Sequence, residues 1–531
     1  MRVALCSMPE LSPWIRGESW HIPSLALVNV AAHTPGHEVR VFDLNRRRRN
    51  VRRAVEKILD DFKPDVLGMS AMTFQYDTAR AIAWLAKQRR PGITTVLGGY
   101  HASMLYRELA DSWDRNIIDW IVRGEGDFAI AEILEVLQGK RSPQNVPSAS
   151  YRDGDGYRHN DDRPLQDLAR LSLPARNKRG YIGAHLAFWP ADVMETSRGC
   201  TLACNFCSIN TMYGKSHRFF PIEYVLGDVE QMDRRLAREV FCADDNMTND
   251  LDRLEALCDA LIVQRKRKNI KVRFTTQATC AGIAQSQRLV DKMAKAGFVK
   301  VFLGIENVSG KTLREIKKGD IVELTRTAVR RLHEADIICV GGCITGFPHD
   351  GVAEIRENFE FFKTLGVEHT IPQIITPYPG TGSREVALAG GYVTNEFDLR
   401  WYNGYWANVR TDQLSSEELE FWRWKLAKEV IGPFEASEVW LKHYPLTGRI
   451  WNKGFLPLYR VFDSLLTRSL GEEKRYRLAM ESFRRKDAFN LDPPPEPFRV
   501  KTMPLRQRTF SMRGIQGWRS AEQRKHALPV V

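Results

Sequence analysis

The sequence predicts an α/β protein of more than one domain, with two strand–helix regions ahead of a mainly helical C-terminal region. Short apolar runs alternate with amphipathic segments over residues 1–150 and again over residues 185–395, a pattern typical of parallel sheets with crossover helices. The chain, at 531 residues, is also too long for one ordinary domain. We expect a doubly wound sheet first, then a partial six-stranded barrel, and helices in residues 396–490.

The N-terminal region contains four apolar runs that are typical of strands, with amphipathic helical stretches between them. The runs are residues 2–6, 38–43, 65–70 and 94–99, and the clearest helical stretches are residues 51–62 and 77–88. Ligands of doubly wound sheets bind beyond the carboxyl ends of the strands, where Ser70, Gly98 and Gly99 fall. Small residues at these positions let the backbone approach a bulky ligand.

A polar segment rich in Asp, Arg and Gly follows, and it predicts a linker over residues 151–184. Six further strand signals then alternate with helices, at residues 193–196, 239–243, 272–276, 299–304, 337–344 and 369–376. The chemistry of parallel barrels lies at the carboxyl ends of the strands. A loop with three cysteines follows the first of these strands, as that rule requires.

Cys200, Cys204 and Cys207 lie within eight residues, so their thiolates can surround one face of a metal centre. A cubane iron–sulfur cluster normally takes four cysteine ligands, and three would leave one iron open to another ligand. The alternative is a zinc site, but structural zinc is closed by four ligands, usually in two separated pairs. The sequence has no second pair of this kind near the loop.

The composition and charge limit the classes of partner and the cellular location that the protein could have. The net charge of +13 and the pI near 9.3 are compatible with nucleic acid, anionic membrane or anionic substrate, but the arginine runs lack the interleaved aromatics of RNA-binding motifs. We therefore expect no nucleic-acid partner. Nine cysteines without a paired framework argue against a secreted disulfide protein, and the N-terminus lacks a signal-peptide core. We expect a cytoplasmic protein.

The CxxxCxxC spacing, with Phe206 before the last cysteine, resembles the radical S-adenosylmethionine (SAM) superfamily. The resemblance implies that the three cysteines bind a 4Fe–4S cluster and that SAM binds its fourth iron. It also implies that Phe206 packs against the adenine or the cluster edge.

The same resemblance implies roles for further strand-end residues in the central region. These are Asp244 near the SAM amino group, Glu306 as an acceptor for the ribose hydroxyls or the amino group, Gln277 on the substrate side, Gly342 beside the adenine, and Tyr378 facing the active site. Asp245 is the less favoured of the adjacent pair. The alternatives are a surface or capping carboxylate for Glu306 and a packing side chain for Tyr378.

The N-terminal region resembles the cobalamin-binding domain that is fused to many radical SAM enzymes. The matching pieces are residues 64–70, 98–102 and 119–127, and they imply cobalamin contacts by Ser70, Gly98, Gly99, His101 and Glu125. The DxHxxG motif that supplies a lower histidine ligand to cobalt is absent. We therefore expect cobalamin without a motif histidine, with His101 as a loop residue near the corrin. The alternative is a flavodoxin-like domain with another ligand.

The C-terminal region is basic and aromatic, with helical periodicity over residues 415–431. Three interpretations stay open: a helical cap that closes the barrel, a surface that contacts an anionic membrane, or a cover over a hydrophobic substrate tunnel. Residues 491–531 predict a basic extended tail.

Taken together, the resemblance implies a cobalamin-dependent radical SAM methyltransferase. Such an enzyme places a methyl group on an unactivated carbon of a hydrophobic or natural-product substrate, by way of a 5′-deoxyadenosyl radical and methylcobalamin. It would take electrons from a flavodoxin or ferredoxin. One alternative is an oxidative cyclase or rearrangement enzyme that acts on a tetrapyrrole or lipid, and another is a non-catalytic cobalamin and iron–sulfur sensor. The motifs indicate the cofactors and leave the substrate open.

Overall fold

The computed structural model describes residues 1–9, 22–47, 50–179, 184–186, 189–484 and 489–499. These residues form two seven-stranded sheets, a two-stranded ribbon and a set of C-terminal helices. The strands are β1 (Arg2–Ser7), β2 (Glu38–Asp43), β3 (Val66–Ser70), β4 (Thr94–Gly98), β5 (Trp120–Val122), β6 (Ala149–Asp153), β7 (Gly156–His159), β8 (Ala184–Leu186), β9 (Trp189–Met194), β10 (Ser197–Arg198), β11 (Arg218–Phe219), β12 (Glu239–Cys242), β13 (Arg273–Thr279), β14 (Phe298–Glu306), β15 (Ile338–Thr345) and β16 (His369–Ile374).

The α-helices fill the connections between the strands and make up most of the C-terminal region. They are α1 (Leu25–Ala32), α2 (Val51–Lys57), α3 (Tyr76–Arg89), α4 (Tyr100–Asp111), α5 (Ala129–Leu137), α6 (Ile209–Tyr213), α7 (Ile222–Arg234), α8 (Leu251–Lys268), α9 (Cys280–Ile283), α10 (Gln287–Ala296), α11 (Gly310–Glu315), α12 (Val322–Glu334), α13 (Val352–Leu365), α14 (Gly382–Ala389), α15 (Ser416–Leu426), α16 (Glu438–His443), α17 (Pro445–Ile450), α18 (Leu456–Leu470) and α19 (Glu472–Arg484). None of the described helices combines the length and apolarity that a membrane-spanning segment needs.

The first sheet has the strand order β2-β1-β3-β4-β5-β6-β7, and its first five strands are parallel. This confirms the predicted doubly wound sheet. The order reverses between β1 and β3, whose last residues Ser7 and Ser70 lie side by side in register. In folds of this kind ligands bind in the crevice at such a reversal. The predicted ligand edge therefore coincides with the switch point of the sheet.

Strands β6 and β7 form an antiparallel hairpin on the edge of this sheet. The sequence had suggested a linker over residues 151–184, but the first nine of these residues belong to the hairpin and its turn. Gly154, in the turn, has a φ of +59°, a conformation that suits glycine. The strands escaped detection because an edge hairpin exposes most of its side chains and so carries little apolar signal.

The second sheet contains six parallel strands in the sequential order β9-β12-β13-β14-β15-β16, with β8 antiparallel beside β9. All six predicted strands are present. The alternation of half-buried and buried residues along β13 marks a strand with two different faces, whereas β15 is almost wholly buried, as expected for a parallel strand covered on both sides. The strands form a partial barrel whose carboxyl ends share one edge.

Helix α16 and its neighbours close the amino end of this barrel. Tyr444 donates its hydroxyl hydrogen to Glu239 Oε1 over 2.8 Å, and Lys300 Nζ lies 3.3 Å from Glu239 Oε2. Glu239 is the first residue of β12, so these contacts lie at the opposite end from the cysteine loop. Of the three interpretations of this region, a helical cap on the barrel is therefore present, at its amino end.

Two other C-terminal features bear on the predictions. Ser415 and Glu418 form the expected capping box at the start of α15. Residues 489–499 run along the first domain, where Phe489 and Phe498 are buried in its core. The predicted tail is therefore packed over its first part, and residues 500–531 lie outside the described residues.

Candidate active site

A cavity of about 200 Å³ opens at the carboxyl ends of β12, β13 and β14. All three cysteines of the loop line it. The remaining lining residues are Leu202, Phe206, Ile209, Asn210, Asp245, Asn246, Gln277, Ala278, Thr279, Phe302, Gly304, Glu306 and Lys318. Predicted cofactor residues from three separate segments, the cysteine loop, β13 and β14, thus meet in one place.

The cysteine loop is held by backbone contacts rather than by regular secondary structure. Gly199, at its start, has a φ of +93°, and a Cβ there would lie 2.2 Å from the carbonyl oxygen of Ser216. Only glycine fits that approach. The Gly199 amide donates to Asp245 Oδ2 over 2.8 Å, and the Asn205 amide donates to the Ile316 carbonyl over 3.1 Å. These bonds fix the loop to the segment after β12 and to the end of α11.

The donor set fits an iron–sulfur cluster. Cys204 is buried, Cys200 and Cys207 are half-buried, and all nine cysteines of the chain are free thiols. Burial raises the pKa of all three loop thiols, that of Cys207 to about 11. Within the described residues no three Cys, His, Asp or Glu side chains converge closely enough to hold one metal ion. A cubane cluster needs no such convergence, because each cysteine binds a different iron atom.

Glu306 and Lys318 form a buried ion pair on the wall of this cavity. Lys318 Nζ lies 2.7 Å from Glu306 Oε1, and both side chains are about one-tenth exposed. Glu306 ends β14 with a φ of +67°, next to a register shift between β14 and β15. Such bulges re-aim side chains, and positive φ in a non-glycine residue often marks a functional site. Glu306 therefore lies at a strand end, as predicted, with its carboxylate on the cavity.

Lys318 is the residue that sequence reasoning missed. It follows α11 rather than a strand, so a search of strand ends passes over it. Its positive charge opposes the effect of burial on the Cys204 thiol, whose pKa is raised chiefly by that burial. Glu306 in turn raises the pKa of Lys318 against the opposing effect of its burial, so the lysine is charged.

Two glycines make room for this arrangement. A Cβ on Gly342 would lie 2.7 Å from the ring of Phe302, which lines the cavity. A Cβ on Gly304 would lie 2.5 Å from Lys318 Nζ. Gly342 thus lies behind Phe302, outside the cavity itself. The position of Phe302 on the cavity wall was not predicted from the sequence.

The structure reverses the order of preference between the two adjacent aspartates. Asp244 is fully buried, and its carboxylate accepts hydrogen bonds from Thr196 and Ser197 below the cavity. Asp245 lines the cavity, and burial raises its pKa to about 6. The sequence alone does not show which of two adjacent side chains at a strand end faces the site. For this reason it did not reveal that Asp245, the less favoured aspartate, is the one on the cavity. Gln277 lines the cavity and donates to the Asp244 carbonyl over 3.2 Å.

The two aromatic candidates lie on different sides of the site. Phe206 lines the cavity and packs on the barrel core. Tyr378 packs against the core of the first domain, with its ring centroid 6.4 Å from that of Tyr402, and it is not part of the cavity wall. The Tyr378 ring therefore lies where the barrel meets the first domain.

The ligand edge of the first domain offers open space for a bulky group. At Gly98 a Cβ would meet nothing nearer than a carbonyl oxygen 4.0 Å away. Gly99 has a φ of +93°, and a Cβ there would lie 2.8 Å from the Ala71 carbonyl oxygen and 3.0 Å from Ser70 Oγ. The loops after β3 and β4 therefore cross in close contact at this edge.

His101 was expected in a loop, but it lies in the first turn of α4. Its ring is fully buried and stacks on Tyr76 with a centroid distance of 4.0 Å. Neither ring nitrogen has a hydrogen-bond partner among the described residues, and burial lowers its pKa to about 3. His101 is therefore a neutral ring inside the domain. The helix escaped detection because Gly98 and Gly99 suggest a longer turn.

Glu125 joins the two domains at the base of the cysteine loop. Its carboxylate lies 3.0 Å from Arg198 Nη1 and 2.9 Å from Arg218 Nη2. These arginines pair across the ribbon β10–β11, which brackets the loop at its two ends. Asp127 adds a second bond to Arg198 at 2.9 Å. Glu125 thus fixes the base of the loop to the first domain.

We expect Gly99→Ala to weaken cobalamin binding by about tenfold or more, because the added methyl group must displace the loop after β3. Cobalamin retention measured by absorbance after gel filtration tests this. Gly92→Ala is the matched control, since nothing lies within 4 Å of a Cβ there. Equal retention by the two variants would show that the crossing of the loops does not shape the site.

Comparison with known proteins agrees with this geometry. Residues 194–362 match the model of the Radical SAM superfamily, and residues 16–134 match that of the B12 binding domain. The chain therefore carries a cobalamin-binding domain followed by a radical SAM domain. It is an enzyme that combines these two domains, and its cofactors are a 4Fe–4S cluster, SAM and cobalamin.

Similar proteins include both methyltransferases and cyclases. An uncharacterized methyltransferase from Pyrococcus horikoshii is 27% identical, covering 63% of this chain and 72% of its own. The hopanoid C-3 methylase of Methylococcus capsulatus is also 27% identical, covering 68% and 67%. The anaerobic magnesium-protoporphyrin IX monomethyl ester cyclase of Rubrivivax gelatinosus is 23% identical, covering 69% and 65%.

Among solved structures, the fold is similar to that of the radical S-adenosylmethionine methyltransferase TsrM from Kitasatospora setae, which was determined with cobalamin and a 4Fe–4S cluster bound. The TM-score is 0.61 at 16% identity, covering 74% of this chain and 78% of that one. At this identity the likeness concerns the fold.

Proposed function

We propose that this protein is a cobalamin-dependent radical SAM methyltransferase that methylates an unactivated carbon of a hydrophobic or natural-product substrate. The observation that carries the proposal is the cysteine cavity, in which Asp245, Glu306 and Lys318 lie beside the thiols. Helix α6, whose first residue Ile209 lines this cavity, packs against α4 of the first domain. Methyltransferases among the similar proteins support this outcome.

The charges on the cavity wall complement those of SAM, which carries a carboxylate, an ammonium group and a nucleoside. Lys318 supplies a buried cation for the carboxylate and Asp245 an anion for the ammonium group. Glu306 can accept hydrogen bonds from ribose hydroxyls. When bound, the cluster supplies the electron that cleaves SAM, and cobalamin carries the methyl group.

The remaining wall residues position the nucleoside and keep water out. Phe206 and Phe302 offer faces for the adenine, where ring stacking contributes about 0.5–1.5 kcal/mol beyond the buried area. Tyr378, at the junction of the domains, is proposed to face the substrate.

Asp245 gives SAM binding a pH dependence. Because the cavity raises its pKa to about 6, the ammonium group loses its anionic partner as the pH falls through that value, and SAM affinity should fall with it. Asp245→Asn should bind SAM about 10- to 100-fold more weakly at pH 8, with a flatter pH profile, since a hydrogen bond to a charged group contributes about 1.5–3 kcal/mol. Equilibrium binding of SAM to reconstituted protein between pH 5 and 8 measures both. An unchanged SAM affinity in the variant would show that Asp245 does not contribute to SAM binding.

The second candidate is an oxidative cyclase or rearrangement enzyme that acts on a tetrapyrrole or lipid, which the similar cyclases favour. SAM with a deuterated methyl group separates the two. Both enzymes form 5′-deoxyadenosine, but a methyltransferase transfers the label to a product from candidate substrates, whereas a cyclase leaves the product unlabelled. A flavodoxin or ferredoxin is the proposed electron donor. The free thiols suit a reducing, cytoplasmic setting.

A further inference from the structure

The helices after the barrel cap carry an exposed apolar face that the active site does not use. Eight of the 22 exposed large apolar side chains in the described residues fall between residues 446 and 465, so they form a patch rather than a scatter. The eight, which we call the apolar face, are Leu446, Ile450, Phe455, Leu458, Tyr459, Val461, Phe462 and Leu465. Leu446 and Leu458 are 71% and 69% exposed. Patches of this kind mark interaction surfaces.

Helix α18, which carries most of the apolar face, packs against the rest of the protein on its opposite side. Phe455, Leu458, Tyr459 and Phe462 follow one another at spacings of three and four residues, which places them on one side of α18 and the turn before it. The opposite side is held by Leu456, which is buried, and by Asp463, which pairs with Lys428 at 2.8 Å and with Arg475. The apolar face therefore lies on a helix that is held in place by other contacts.

The charges around the face are basic. Residues 445–470 contain four basic residues, Arg449, Lys453, Arg460 and Arg468, and one acidic residue, Asp463. Arg460 is paired with Glu435 at 2.8 Å, which leaves three basic residues to determine the charge of the face. The two partners of Asp463 neutralise it on the inner side. An amphipathic segment with Trp, Phe and Leu on one side and Lys and Arg at its borders is typical of helices that lie in the interface of a bilayer.

Two partners could cover the apolar face, a lipid surface or a second copy of the chain, and the charge pattern favours the lipid surface. In a symmetric dimer the same patch faces itself, which would bring two sets of these cations together. An anionic bilayer instead pairs them with headgroups. We propose that the apolar face docks the protein peripherally on a bilayer that contains anionic phospholipid.

The position of the face fits anchoring rather than substrate entry. It follows α16, which closes the amino end of the barrel, whereas the cysteine cavity opens at the carboxyl end. A docked molecule therefore keeps its active site away from the face that touches lipid. The proposal is independent of the reaction that the active site performs.

Vesicle flotation of the full-length protein tests the proposal. We expect binding to vesicles with about 30% phosphatidylglycerol and at least tenfold less to pure phosphatidylcholine, because basic residues near the surface each add to the attraction. The triple variant Phe455→Ser, Leu458→Ser and Phe462→Ser should lose binding at least tenfold. The control Leu236→Ser, Val263→Ser and Val386→Ser changes equally exposed apolar residues elsewhere and should bind like wild type.

A second variant and a second measurement keep the outcomes distinct. Arg449→Glu with Lys453→Glu should abolish the preference for phosphatidylglycerol while leaving the fold intact, as judged by the thermal unfolding midpoint. Sedimentation velocity without lipid should show a monomer. No vesicle binding with a dimer that the triple variant dissociates would assign the face to a second copy. No vesicle binding with a monomer throughout would place a segment of the chain itself on the face, and either result overturns the proposal.

Discussion

Cys204→Ala is expected to abolish SAM cleavage while leaving cobalamin binding largely intact. Cys204 is the buried member of the three loop cysteines, and its loss leaves two ligands for a cluster that already has an open iron. Cobalamin binding should survive because the hydrophobic core of the first domain is built mostly from its own residues and shares none with the main core of the barrel. The readouts are 5′-deoxyadenosine formed under strong reduction and cobalamin retained after gel filtration.

Cys258→Ala is the matched control, because Cys258 is buried in α8 away from the cavity. This variant should keep its cluster and its SAM cleavage. If Cys204→Ala loses cobalamin together with SAM cleavage, the cluster organises the whole molecule, and the description as two separately packed sheets fails.

Gly304→Ala should lower SAM binding and cleavage by about 10- to 100-fold while keeping the cluster. The added methyl group would lie 2.5 Å from Lys318 Nζ and 2.7 Å from Glu306 Oε1, so the ion pair on the cavity wall must shift. Forcing an extra methyl group into a packed site costs about 1–3 kcal/mol, and here the displaced atoms are those that face SAM. Iron and sulfide content, SAM affinity and 5′-deoxyadenosine yield measure the three parts of this prediction.

Gly92→Ala again serves as the control, since that position is open. A Gly304→Ala variant that binds and cleaves SAM like wild type would show that the Glu306–Lys318 pair does not shape the SAM site. A variant that loses its cluster as well would mean that the pair supports the cysteine loop rather than SAM.

The strands of both sheets were predictable because a buried strand shows its apolar run directly in the sequence. Chemistry at the strand ends was also predictable in outline, since Glu306 ends β14 and Gln277 lies two residues before the end of β13, both near the cysteine loop. The sequence did not reveal which way each side chain points. Asp244 and Asp245 are adjacent after β12, and the course of the backbone there decides which side chain faces the cavity. That course depends on the hydrogen bonds that Thr196 and Ser197 donate to the Asp244 carboxylate.

Other features depended on contacts between distant parts of the chain. Lys318 pairs on the cavity wall with Glu306, which lies 12 residues earlier in the chain and beside the register shift in β14. Glu125 lies in a motif that was noted in the sequence, but its ion pairs with Arg198 and Arg218 span more than 70 residues. No local pattern reports such pairs.

Anaerobic reconstitution with iron, sulfide and cobalamin, followed by mass analysis of a dithionite reaction with SAM, tests the central claim most directly. We predict a protein that holds both cofactors and converts SAM to 5′-deoxyadenosine, with loss of that product in Cys204→Ala. A wild-type protein that carries the full cluster and cobalamin but never cleaves SAM would contradict the claim, and would support a sensor in place of an enzyme.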